Sequence, residues 1–176
     1  RSSIVRATGL DADSLDLEAS SSSDLFVSGH ANSVVIDASS SADVKAQDLM
    51  AGSLSLEASS SSDVKAKANS EQPVQIKASS SADVELELSG HSRIELDASS
   101  SADVILSGSC ERIVVEASSS ADIEARDLSC KSASLKASSS ADITLEVTES
   151  VHATASSGGD ITLYGEPAQR DVRESS

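Results

Sequence analysis

The sequence predicts an all-β fold, a single-domain parallel β-solenoid of about eight coils of about 20 residues each, and three observations predict it. The stretch Ala98-Ser99-Ser100-Ser101-Ala102-Asp103-Val104 recurs eight times, with its aspartate at Asp24, Asp43, Asp63, Asp83, Asp103, Asp122, Asp142 and Asp160. Between the copies, apolar residues alternate strictly with polar ones, which is the period of a half-buried strand and has no reason to persist in a disordered tract. Aromatic residues are limited to Phe26 and Tyr164, with no Trp, so the interior must be thin and filled by Val, Ile, Leu and Ala. The interval between aspartates is long enough for one full coil. The short period of left-handed hexapeptide helices is absent, and parallel crossovers are overwhelmingly right-handed, so a right-handed helix is expected.

The coil from Val84 to Asp103 shows the elements in order. Val84, Leu86 and Leu88 alternate with Glu85 and Glu87 as a first strand, and Ser89-Gly90-His91-Ser92 interrupts it as a turn. Ile94 and Leu96 alternate with Arg93, Glu95 and Asp97 as a second strand. Continuing that alternation through the Ser run places Ala98, Ser100, Ala102 and Val104 inward and Ser99, Ser101 and Asp103 outward, so a Leu at Ser100 is expected to overpack the corner by about 1–3 kcal/mol. The same parity holds in the other coils, from Leu15 and Leu17 before the first corner to Ile161 and Leu163 after the last. Two sheets are expected to pack through these residues. Length varies at the opposite turn, where Asp48-Leu49-Met50-Ala51-Gly52 and Asp127-Leu128-Ser129-Cys130 differ from Ser28-Gly29-His30. Variable turns on one edge are where a solenoid usually carries its function. Residues 161–176 read as a terminal coil and tail of the single domain spanning 1–176. Arg1-Ser2-Ser3 reads as the end of a corner already under way, so residues before Arg1, or a partner, are expected to cover the first coil.

Charge narrows the partners. A formal net charge of −16 and a sequence pI near 4.3 argue against nucleic acid, whose binding rests on Lys and Arg neutralising phosphates, and against anionic membranes. No stretch approaches the roughly 18 apolar residues of a membrane span, so no membrane insertion by this segment is expected, and no signal peptide precedes the first repeat.

The corners, Ala38-Ser39-Ser40-Ser41-Ala42-Asp43-Val44 and its siblings, and the closing Gly158-Gly159-Asp160-Ile161-Thr162-Leu163-Tyr164-Gly165-Glu166-Pro167 carry a resemblance. Together they resemble the bacterial GIN domain, a domain of unknown function assigned to autotransporter-adhesin heads. The chain departs from that pattern in carrying Ser where the corner Gly usually stands in seven copies. The resemblance covers nearly the whole chain. It implies a β-helix similar to pectin-lyase-like solenoids and export across the inner membrane to a periplasmic, outer-membrane-associated or extracellular location. It also implies a role in adhesion, to a cell-surface glycan or protein or by self-association, and it supplies no catalytic residues.

The candidate surface is a set of outward corner rows: Ser39, Ser59, Ser79, Ser99, then Ser41, Ser61, Ser81, Ser101, then Asp43, Asp63, Asp83, Asp103, each continuing into later coils. Such rows suit an ordered ligand, a polysaccharide or ice or another copy of the chain, although threonine rows fit ice better than serine. They also suit a plainer role, in which Ser and Asp satisfy corner backbone N–H groups. Stacked aspartates one coil apart repel by about 0.9 kcal/mol per neighbour in water. Backbone donors or a calcium ion could offset this, but the Gly-rich nonapeptide of calcium-binding solenoids is missing, and no cofactor is expected. Cys110 and Cys130 occupy the same place before the corner alanines Ala117 and Ala137 and so stack within disulfide range, as a bridge or as two small thiols. His30 and His91 follow Gly29 and Gly90 in equivalent turns, and three coils separate His91 from His152 in turn, so the three are read as solvated turn residues too far apart to share a metal. An enzyme would need unlike groups clustered in a cleft; here acidic residues follow the period and Lys45, Lys65, Lys77, Arg93 and Lys136 are scattered. The expected function is a non-catalytic exported solenoid that presents a repetitive Ser/Asp surface, an adhesin or cell-surface interaction module. A dedicated glycan- or ice-binding solenoid is the first alternative and a carbohydrate-active enzyme the second.

Overall fold

Period-2 alternation becomes burial. Val84, Leu86 and Leu88 are buried and Glu85 and Glu87 exposed; Ile94 and Leu96 are buried and Glu95 and Asp97 exposed. The computed structural model describes residues 3–70, 72–90 and 93–175, so Arg1 and Ser2 of the expected corner and His91 and Ser92 of the expected turn lie outside the described residues. The strands in chain order are β1 (Ile4–Ala19), β2 (Asp24–Ala38), β3 (Asp43–Ala58), β4 (Asp63–Asn69), β5 (Val74–Ser79), β6 (Asp83–Ser89), β7 (Arg93–Ser99), β8 (Asp103–Ser118), β9 (Asp122–Ser138), β10 (Asp142–Ser156), β11 (Asp160–Tyr164) and β12 (Gln169–Ser175). All pairings are parallel, and successive coils stack into a β-solenoid of about eight turns.

Equivalent residues stack in straight lines. Leu17, Ile36, Leu56, Ile76, Leu96, Val115, Leu135 and Ala153 form one buried row through eight coils. Burying a branched aliphatic side chain fully stabilises by about 1.5–3 kcal/mol, so the core gains along its whole length although it is narrow.

The opposite edge breaks as expected between β4 and β5 and between β6 and β7, but in six other coils it differs from the expected loose turn. Strands β1, β2, β3, β8, β9 and β10 run without interruption from corner to corner, and the segments read as turns stay paired to the neighbouring coils, with local register shifts. Ala31, Leu49, Ala51, Ala68, Leu88, Leu128 and Val147 on this edge are buried. It is a third wall of the core, because the apolar residues in those segments have an interior to fill. Gly108 shows how tightly the wall approaches: its φ is +109°, and a Cβ there would lie 1.8 Å from the Leu88 carbonyl oxygen.

The corner also differs. Ala98 and Ala102 are buried, but Ser100 is exposed, as are Ser40, Ser60, Ser80, Ser119 and Ser139 at the same point of other coils. The inward placement of Ser100 is therefore wrong. Seven corners each hold two successive serines in the left-handed region, Ser100 at φ 57° and Ser101 at φ 62° in the coil above. These two residues turn the chain, suspend the alternation from Ser99 to Ser101, and let it resume at Ala102. The eighth corner uses Ser157 and Gly158, followed by Gly159, where a Cβ would lie 2.7 Å from the Ala137 carbonyl carbon.

The two ends are unlike. On β1, Val5 is 53% exposed whereas its stacking partner Leu25 is 9% exposed. On β12, Arg170 and Glu174 stand in register with Val151 and Ala155, so two rows end in charge at that side, while the row through Ala153 ends in the exposed Val172. Charges at core-row positions oppose pairing with a further strand.

Candidate functional site

The corner rows are built by backbone pairing. The N–H of the second left-handed serine donates to the carbonyl of the first in the following coil: Ser41 to Ser60 and Ser61 to Ser80 at 3.0 Å each, Ser101 to Ser119 at 3.1 Å. The aspartate N–H points the other way, from Asp83 to Ser62 at 2.9 Å and from Asp103 to Ala82 at 3.0 Å. The N–H groups of the second serine and of the aspartate are thus met by neighbouring carbonyls. Among the described residues the side chains that bond to corner backbone are Ser23, whose Oγ accepts from the Ser20 N–H at 3.0 Å, and Ser62. Ser62 replaces the corner alanine and is fully buried; its Oγ accepts from the Ser59 N–H and donates to the Ala38 carbonyl, both at 3.1 Å.

The predicted rows come together in register. Ser39, Ser59, Ser79 and Ser99 are half-buried, and Ser41, Ser61, Ser81 and Ser101 are exposed. The Ser40, Ser60, Ser80 and Ser100 row joins them on the surface, so the corner presents three serine rows instead of two. The aspartates pair one to one from Asp24 to Asp160. Partial burial, followed by the negative charges of Asp63 and Asp103, raises the Asp83 carboxyl above the ordinary aspartate range. Beside this row runs a shallow groove whose two depressions, about 380 Å³ each, share Asp103 and the exposed Ile105. No group of three or more His, Cys, Asp or Glu side chains arranged to hold a metal occurs among the described residues.

Cys110 and Cys130 pair in register on the third wall and are joined by a disulfide, with Cα atoms 4.6 Å apart. His30 lies within β2 at the level of Asp11 and Met50. His152 is not a turn residue: it is exposed on β10, on the face before the corner, where its Nδ1 lies 3.0 Å from Asp171 Oδ2. Lys65 pairs with Glu85 and Lys67 with Glu87 across adjacent coils, so these bases belong to exposed ion pairs.

A further depression is not legible in the sequence. On the face before the corner, near the C-terminal end, Arg112, Ser132, Ser134, Ser150, His152, Gln169, Arg170 and Asp171 line a volume of about 570 Å³. Four strands contribute, β8, β9, β10 and β12, and register brings the residues together: Arg112 pairs with Ser132, Ser132 with Ser150, Ser150 with Gln169, while Ser134 pairs with His152 and His152 with Asp171. Arg173 Nε and a terminal guanidinium nitrogen donate to Asp171 at 3.3 and 3.1 Å. These bonds and the Arg173 charge, with a smaller contribution from His152, hold the Asp171 carboxyl below its ordinary range.

Comparison with curated proteins and with solved structures gives no match. A family model described as "Putative auto-transporter adhesin, head GIN domain" matches residues 1–86 and again residues 70–167, the two matches together spanning nearly the whole solenoid. Membership implies an exported or cell-surface protein. With its repeated Ser corners, its Gly158-Gly159-Asp160 closing turn and its parallel coils, the chain belongs to the GIN head-domain family.

Proposed function

We propose that this domain is a non-catalytic adhesion module that presents its Ser/Asp corner edge to a surface outside the cell that makes it. One observation supports the reading: three serine rows and one aspartate row lie in register along one edge, while the exposed hydroxyls of those rows bond to no protein group among the described residues. The exposed serine hydroxyls and the aspartate carboxylates are therefore left over for a partner with a matching repeat, and a glycan offers hydroxyl groups that bond to both. The repeat distance of about 4.8 Å, set by parallel strand spacing, approximates the length of a sugar unit along an extended polysaccharide. Family membership supports export and an adhesin-type role.

The test is binding of the purified domain to a broad glycan array, once with calcium and once with chelator, alongside a variant with Ser81, Ser101 and Ser120 changed to Glu. A selective, saturable signal lost in the variant is expected. A blank array in both conditions, or a signal indifferent to the variant, would overturn the assignment to this edge. Loss of signal in chelator would assign the aspartate row a cation.

A further inference from the structure

The depression around Arg112 reverses the charge of the molecule. The chain carries 29 acidic against 13 Lys and Arg residues, yet the side chains that face outward in this lining include Arg112 and His152 against one aspartate, and that aspartate is engaged by Arg173 and His152. Among the described residues Arg112 takes part in no ion pair. The floor between Arg112 and His152 carries the small polar groups of Ser132, Ser134 and Ser150 beside Ala133 and Val151. Ser132 Oγ donates to the Glu111 carbonyl at 3.3 Å and keeps its lone pairs, and the hydroxyls of Ser134 and Ser150 bond to no protein group among the described residues. Arg112 and His152 stand two coils apart and two residues apart along the strand, about 12 Å at parallel strand spacing and rise, which is the length of about two sugar rings.

We propose that this depression is a binding site for an acidic saccharide, with the Arg112 guanidinium taking the ligand's anionic group and Ser132, Ser134, Ser150 and Gln169 bonding its hydroxyls. Arginine suits that role because its planar fork pairs with a carboxylate through two parallel hydrogen bonds and it stays charged at all relevant pH. No aromatic residue lines the depression, so the stacking that commonly holds neutral sugar faces is missing, and the anionic group must supply much of the selectivity. Asp171 is fixed by Arg173 and His152 at the far wall, where its remaining lone pairs accept from sugar hydroxyls and where a second anionic group would be repelled. The site thus fits a saccharide with one acidic group near Arg112 and hydroxyls toward β12. The inference rests on the adhesion reading but places a second contact on a different face from the Ser/Asp edge.

The experiment is calorimetric titration of the whole domain at physiological salt with three soluble oligosaccharides of equal length: a uronate oligomer in which a single ring is a uronate, a sulfated oligomer with a single sulfate, and a neutral one. Arg112→Gln and Lys77→Gln are tested beside the unaltered chain; Lys77 is exposed on the same face but outside the depression. Binding of the uronate oligomer is expected, with a loss of about 10- to 100-fold in Arg112→Gln, the range for a hydrogen-bonded charged partner, and little change in Lys77→Gln. Preference for the sulfated oligomer with the same dependence on Arg112 would keep the site and identify the anion as sulfate. Equal losses in both variants, equal binding of the neutral oligomer, or no binding of any anionic oligomer would overturn the proposal. Because the array variant alters only the corner, array binding sensitive to corner Glu but untouched by Arg112→Gln would remove this site and leave the adhesion reading standing.

Discussion

Replacing Ser100 and Ser101 with Gly should stabilise the solenoid. Both serines sit in the left-handed region, at φ 57° and 62°, where a residue with a Cβ is strained by about 1–2 kcal/mol. Glycine removes that strain but loses more backbone freedom on folding, about 0.5–1 kcal/mol, so the net gain is about 0.7 kcal/mol per site and about 1.5 kcal/mol for the pair. Neither side chain loses burial, because both are exposed, and the corner hydrogen bonds, Ser81 N–H to Ser100 and Ser101 N–H to Ser119, are backbone bonds that glycine preserves. For a chain of this length the pair should raise Tm by about 3–6 °C. The control is Ser100→Val, whose β-branch is least tolerated at positive φ and should lower Tm despite an exposed site. Thermal melting followed by circular dichroism measures both. A lower Tm for the glycine pair, or an unchanged Tm for Ser100→Val, would show that these serines do not hold the left-handed conformation and that the corner turns by another route.

Four further outcomes follow from the same geometry. Asp83→Asn removes the cost of partly burying a carboxylate and its repulsion from Asp63 and Asp103, and should stabilise by about 1 kcal/mol at neutral pH once solvent and salt screening are included. Because the folded carboxyl is raised above its unfolded range, its penalty sets in as pH climbs from the unfolded pKa through the folded one, so the variant's advantage should vanish in acid; an advantage that grows below that window would refute the repulsion. Ser62→Ala should change stability by no more than about 0.5 kcal/mol, since alanine occupies the equivalent Ala42 and Ala82 sites and the Ser59 N–H keeps its 2.9 Å bond to the Ala38 carbonyl; a loss above about 2 kcal/mol in urea, the scale of an orphaned buried group, would contradict this. Reduction of the Cys110–Cys130 bridge, with a sequence separation of 20, should lower stability by about 3 kcal/mol in the denatured-chain entropy account, measured as the shift in urea midpoint with reductant. Gly108→Ala should be far worse than an ordinary surface change, because its Cβ would overlap the Leu88 carbonyl and its φ disfavours any side chain; a wild-type melting curve would disprove that close approach.

The strands were legible because side-chain period 2 is written directly in residues such as Val84, Leu86 and Leu88. The corner was not. Ala98 and Ala102 are an even number of positions apart, so simple alternation reaches the correct answer at both ends while misplacing Ser100 between them. Nothing in a run of identical serines announces the sign of φ, and the usual signal, glycine, is missing from seven corners. The third wall was misread for a related reason: Ser28-Gly29-His30 looks like a turn, yet parallel neighbours on both sides hold it in the ladder through a register shift. The Arg112 depression was invisible because its members lie on four strands and their spacing depends on those shifts. The steps from Arg112 to Ser132, from Ser132 to Ser150 and from Ser150 to Gln169 each differ in length, although each advances the chain by one coil. No single period applied to the sequence stacks them.

Regularity and specificity occupy different faces of this molecule. The corner aspartate is unchanged through eight coils, and a feature that never varies along a stack can recognise only something that also repeats. On the face before the corner the row that begins at Asp16 runs through Val35, Ser55, Gln75, Glu95, Val114 and Ser134 to His152 and Asp171, changing character at every level. The outward positions there bear no packing constraint, since the inward residues of the same strands fill the core. Freed from the fold, they are where a particular group can be placed against a particular ligand, and a cluster of Arg, His and Gln on a strongly acidic chain is the kind of departure from pattern that solvation alone does not require. A repetitive edge that contacts an extended surface at many weak points and a single aperiodic site that selects one acidic unit would act together, since multiple contacts raise the effective concentration of the selective one without any new interaction.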